Sequence, residues 1–112
     1  MILKYFLSFL FLIWISLLFG QKIHASDYKS AADLTAFVVD YKSQADLLVY
    51  RVEYESQAGE NDGRWYFVDY QSQSDKSVFF VEYQSQADIK IYFVDYESQA
   101  GWITTNKKQF LE

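Results

Sequence analysis

The chain contains no cysteine and no proline. Without cysteine it makes no disulfide, offers no thiolate to a metal, and lacks the residue that anchors a lipoprotein. Without proline, no strand edge is guarded by a residue that cannot donate. Histidine occurs once, at His24. Basic residues are outnumbered, ten against fifteen acidic ones. A nucleic-acid-binding domain normally carries a basic patch or stripe. This chain is acidic along its whole length, which excludes that class of partner.

What is present is apolar. Of 112 residues, 51 % are hydrophobic and 21 % aromatic, far more than a disordered chain carries. The length suits one domain. The N-terminus has the pattern of an export signal: Lys4, then an uncharged apolar run from Tyr5 to Gly20, then a short polar stretch ending at Ala25. The run is short for a membrane span, which needs about 20 residues. A cut between Ala25 and Ser26 is expected, giving a signal peptide over 1–25 and a single domain over 26–112. Removing Lys4 and Lys22 leaves eight basic against fifteen acidic residues, a net charge of −7. His24 leaves as well. The negative charge keeps a β-rich surface soluble. A periplasmic or secreted location follows. Membrane contact is expected only through the signal segment, if that segment stays uncleaved.

The domain is a tandem repeat. The phrase Tyr-x-Ser-Gln-Ala-Asp places its tyrosine at Tyr28, Tyr41, Tyr54, Tyr70, Tyr83 and Tyr96, spaced 13, 13, 16, 13 and 13 residues apart. An insertion at Glu60-Asn61-Asp62 accounts for the one long interval. Units begin at 26, 39, 52, 68, 81 and 94, and a tail over 102–112 departs from the pattern. Within a thirteen-residue unit the tyrosine is third, an Asp or Glu precedes it, and apolar residues favour the ninth and the eleventh to first positions, with the tenth variable.

Those apolar stretches, such as Trp65-Tyr66-Phe67-Val68 and Val78-Phe79-Phe80-Val81, are β-branched and aromatic, which favours strands. No stripe of period 3.6 runs through them. Alternation predicts one face with Tyr92, Val94 and Tyr96 and another with Ile89, Ile91 and Phe93. The first is read as the aromatic core face, which makes the six tyrosines the structural core of the repeat. The eighth position holds Asp33, Asp46, Gly59, Asp75, Asp88 and Gly101. Only Asp or Gly occurs there, so a turn with positive φ is expected. Glycine in two copies argues that the carboxylate itself has no task. The glutamines of the sixth position suggest a stacked amide ladder.

Six copies of this phrase at fixed spacing resemble a family of small bacterial proteins of unknown function associated with the septafoil, a seven-crossing torus knot. The resemblance runs from Ser26 to about Trp102. It implies a compact closed ring, deeply knotted, and implies no activity. Ala31, Ser74 and the insertion at 60–62 depart from the motif. The fold expected overall is all-β, a closed ring or solenoid of tandem repeats. Closure is favoured because an open stack of identical strands exposes unpaired edges and no capping repeat is visible. The tail is expected to complete the ring.

Chemistry is sparse. The proposed mature part has neither His nor Cys, so the usual triads and imidazole or thiolate metal sites are excluded. Asp69, Glu82 and Asp95 recur at one position of successive units, which suits a solvated acidic row better than a unique catalytic pair. Glu60-Asn61-Asp62-Gly63 lacks the spacing of a calcium loop and reads as a turn. Arg51 and Arg64 are placed to pair with Glu53 or Asp62, and Trp65 and Trp102 to pack in the core or at the closure. No catalytic residue, cofactor or metal ligand is assigned. The expectation is an exported, non-enzymatic structural or binding protein with a protein or envelope partner. A self-assembling β-fibre subunit is the alternative, and a carboxylate-based hydrolase a weaker one.

Overall fold

The computed structural model describes residues 20–112. The expected export signal lies outside the described residues over 1–19, which hold all of the apolar run from Tyr5 to Gly20 except Gly20 itself. Seven strands follow in chain order: β1 (Lys22–Ala25), β2 (Leu34–Val38), β3 (Leu47–Arg51), β4 (Arg64–Phe67), β5 (Lys76–Phe80), β6 (Ile89–Phe93) and the short β7 (Gly101–Trp102). One turn of 3-10 helix stands between each strand and the next, from Lys29–Ala31 to Glu97–Gln99. A last 3-10 segment, Thr105–Leu111, follows β7.

The strand order is β4-β1-β5-β2-β6-β3, and β3 pairs with β4 again, so six strands close into a ring. All six pairings are parallel. The chain takes two interleaved laps: β1, β2 and β3 on the first, and β4, β5 and β6 in the gaps on the second. Every strand is displaced two residues from its neighbour. Leu34 faces Val78, Ala36 faces Ile89, and Leu47 faces Ile91. The ninth position of one unit therefore meets the eleventh of the next strand.

This stagger explains a connection that is unusually short. Parallel strands normally need a crossover of about a dozen residues or more. Here the eight residues 39–46 suffice between β2 and β3. A large stagger tilts the strands steeply about the ring axis. The chain then advances around the ring as it climbs, and one 3-10 turn redirects it.

The interior is built from one row. Ile23, Ala36, Val49, Trp65, Val78 and Ile91 occupy the eleventh position, and each is fully buried. Leu34, Leu47 and Ile89 of the ninth position join them, with Phe67 and Phe80 packed alongside. A second, outer cluster holds Val39, Ala45, Leu48 and Val94 under Phe37, Tyr50 and Tyr92. The expected assignment of faces is thus reversed. Ile89 and Ile91 point inward, Tyr92 and Val94 belong to the outer layer, and Tyr96 has left the sheet. The parity of the strand was readable, but its inward side was not. Both faces begin apolar, and ring closure decides which is inside.

The domain also begins earlier than expected. β1 lies before Ser26, pairs with both β4 and β5, and places Ile23 in the core. The ring therefore takes in residues before Ser26, from about Gln21 onward.

The tail does not pair with the first repeat, and the ring closes without it through β3 and β4. β7 runs antiparallel to β3, with Gly101 opposite Leu48. Leu111 is buried in the interior cluster, and its carbonyl accepts the Gln21 side-chain amide at 2.8 Å.

Candidate functional site

The six tyrosines are the most regular surface feature. Tyr28, Tyr41, Tyr54, Tyr70, Tyr83 and Tyr96 are between 65 % and 71 % exposed. They are not the structural core that the alternation suggested. Each is instead the extended residue that opens a 3-10 turn. In five of the turns its carbonyl accepts the N–H of the sixth-position glutamine, at 3.0 Å, and in the first turn that of Ala31, at 3.2 Å. The backbone reversal at this point ends the strand and swings the ring away from the sheet. The residue before each tyrosine, Asp27, Asp40, Glu53, Asp69, Glu82 or Asp95, is also exposed. The turn serines, Ser30, Ser43, Ser56, Ser72, Ser85 and Ser98, are exposed as well.

The sixth-position glutamines form no ladder. All are exposed, and among the described residues Gln57 alone of them uses its side chain in a hydrogen bond, accepting the Tyr54 N–H at 3.2 Å.

The eighth position holds the turns in place, by a different device from the one expected. Asp33, Asp46, Asp75 and Asp88 each donate their own N–H to a tenth-position carbonyl across the lap, those of Ser77, Lys90, Lys22 and Thr35. The side-chain carboxylate of each then accepts the N–H of that same partner residue, at 2.8–3.0 Å. The result is a two-point clamp between one lap and the other. It needs ordinary backbone angles: among the described residues no non-glycine has positive φ, and of the eighth-position residues Gly101 alone does, at 152°. The carboxylate does have a task, contrary to expectation. Hydrogen bonds to ionised acceptors are about twice as strong as neutral ones.

The glycine at position 59 shows how specific the clamp is. Gly59 donates to the Arg64 carbonyl at 3.0 Å, but it has no carboxylate to accept in return. Asp62 of the insertion supplies one: its Oδ1 accepts the Arg64 N–H at 3.1 Å. A Cβ built on Gly59 would fall on that carboxylate. The inserted residues thus return the missing group to its usual place by another route. Gly63 follows with φ of 87°, against the Leu48 carbonyl, where a Cβ has no room.

The seam where the laps meet is the other polar concentration. Arg64 pairs with Asp62 at 2.7 Å and Glu97 at 3.2 Å, and its pKa is held above the ordinary value by those hydrogen bonds. Arg51 lies 4.7 Å from the centre of the Phe67 ring. Trp65 is interior, whereas Trp102 is half-buried and donates its indole N–H to Asn61. Asp46 is buried and pairs with Lys107 at 3.3 Å. Burial alone pushes its carboxyl up. Hydrogen bonds from the Lys90 N–H and from the Thr104 and Lys107 side chains, with the Lys107 charge, outweigh this and hold it below 3.8. An open depression of about 470 Å³ beside this pair is lined by Gln84, Ser85, Ala87, Lys90 and Lys107. Among the described residues, no three His, Cys, Asp or Glu side chains gather as metal ligands.

Reading the sequence missed the eleventh-position core row, the carboxylate clamp and the role of Asp62. The restriction of the eighth position to Asp or Gly was the available signal for the clamp. An Asp three residues after Gly59 was the signal for its replacement.

Six parallel strands laid down in two interleaved laps define a closed, doubly wound β ring made of repeats. The sequence model of the 7(1) septoil knot domain matches residues 20–103, and the chain belongs to that family. No curated protein and no solved structure gives a significant match.

Proposed function

We propose that this is an exported, non-enzymatic binding protein that engages a basic partner, a Lys- or Arg-rich peptide segment, through its rim of acid–tyrosine pairs. The observation that carries the reading is the uniform exposure of six tyrosines, each preceded by an exposed carboxylate. Tyrosine is amphipathic and enriched at binding surfaces. A cation is attracted both by the aromatic face and by the neighbouring charge. Repetition around a ring presents several weak sites at once, which suits an extended partner.

The alternative, a self-assembling β-fibre, depends on free strand edges. Each of β1–β6 already has a strand on both sides, which favours the binding reading. The test is titration of the exported protein with a fluorescent Lys/Arg-rich peptide and an Asp/Glu-rich control, at low and high salt. The basic peptide binds, weakens as salt rises, and loses roughly tenfold in affinity when Tyr70, Tyr83 and Tyr96 are together changed to Ser. Equal binding of both peptides, or affinity indifferent to the tyrosines, refutes the proposal.

A further inference from the structure

We infer that the export leader is removed at the Gly20–Gln21 bond, so that the mature protein begins at Gln21 and retains β1. The inference rests on the export reading above and goes beyond it by fixing the processing site. Between Phe19 and Ser26 the sequence offers two small residues for the position before the cut, Gly20 and Ala25. A bulky aliphatic residue stands two places earlier in both cases, Leu18 or Ile23. Leader patterns alone therefore do not separate them.

The fold separates them. A cut after Ala25 removes the whole of β1. Ile23 is fully buried in the interior row, and its carbonyl accepts the Val68 N–H. The Lys22 carbonyl accepts the Asp75 N–H while the Lys22 N–H donates to the Asp75 carboxylate, completing one of the clamps. The Gln21 carbonyl accepts the Tyr66 N–H, and the Gln21 side chain ties the C-terminal tail through Leu111. Losing these residues would open the six-strand ring between β4 and β5 and expose two strand edges. A cut after Gly20 leaves every one of these contacts in the mature chain. The Gln21 backbone nitrogen, 2.7 Å from the Gly59 carbonyl, still donates once it is an α-amine. The family match beginning at residue 20 agrees with this boundary.

The reaction is a hydrolysis by the leader peptidase of the exporting cell. One water adds across the Gly20–Gln21 amide, leaving a carboxylate on Gly20 and an amine on Gln21. Intact-mass analysis and N-terminal sequencing of the exported protein from full-length chain test it. The expected product spans Gln21–Glu112, with the Gln21 side-chain amide intact. Ala25→Leu, at an exposed site, is expected to be processed at the same bond and at the parental rate. A product beginning at Ser26, or a block to processing by Ala25→Leu, overturns the inference. So does an intact chain held at the membrane. Retention of the intact chain in the cytosol overturns the export reading too, so the two failures are told apart by fractionation.

Discussion

Asp62 is the residue whose removal tests the clamp most directly. Asp62→Ala takes away the carboxylate that accepts the Arg64 N–H and one of the two carboxylates paired with the Arg64 guanidinium, leaving Glu97. A hydrogen bond to a charged group contributes about 1.5–3 kcal/mol. The ion pair is more than a third exposed on both sides and adds at most about 1 kcal/mol. Exposure also discounts the first figure, so a net loss of about 1–2 kcal/mol is expected. For a domain of this size that lowers Tm by about 4–16 °C. Gly59→Asp alone is destabilising as well, because its side chain would occupy the space of the Asp62 carboxylate. The double variant Gly59→Asp with Asp62→Ala should recover at least half of the loss. It rebuilds the clamp in the form used at Asp33, Asp46, Asp75 and Asp88. Thermal and urea unfolding of the four proteins complete the cycle. A coupling of at least 1 kcal/mol in the favourable direction is expected, within the range seen for residues that share one site. Strict additivity, or a double variant no better than the worse single one, refutes the argument that Asp62 stands in for the eighth-position carboxylate.

Three further outcomes follow from the same structure. The Asp46 carboxyl is held below 3.8 in the folded chain, so its contribution to stability is full above that value and lost as pH falls through the lower folded value. Urea midpoints measured between pH 6 and pH 2 should show a smaller acid-side fall for Asp46→Asn than for the parent. Ile91→Ala, in the fully buried row, should cost about 2–5 kcal/mol by denaturant unfolding, while Tyr83→Ser on the rim should change stability by less than about 0.5 kcal/mol. Comparable losses at the two sites would return the tyrosine to the core. Leu111→Asp places a charge in the interior cluster and should lower Tm by more than 10 °C, whereas Phe110→Asp, on a more exposed neighbour, should be tolerated. Equal effects would mean that Leu111 does not pack into the interior.

The repeat was legible because every unit solves the same local problem. Val, Ile and aromatic residues over the ninth to first positions favour strand, and the polar phrase that follows ends it. Asp62-Gly63 was readable as a turn, and Gly63 does take a positive φ. The exposure of Tyr96 was not legible. Strand parity carried through to Tyr96 puts it on the side of Tyr92, but the 3-10 turn at Glu97–Gln99 interrupts that alternation. The clamp was illegible for a similar reason. Asp33 and Ser77 are 44 residues apart, and nothing local links them until the second lap lies beside the first.

Local preference is encoded residue by residue, so the amino-acid order alone determined strand, bend, strand, six times over. It also determined the acidity of the surface and the absence of thiols, while the single imidazole, His24, falls in β1 and so enters the ring. Which side of each strand is interior, that β1 belongs to the ring, and that carboxylates join one lap to the other were decided only by tertiary structure. Those features depend on which distant strands become neighbours, and that is fixed when the ring closes.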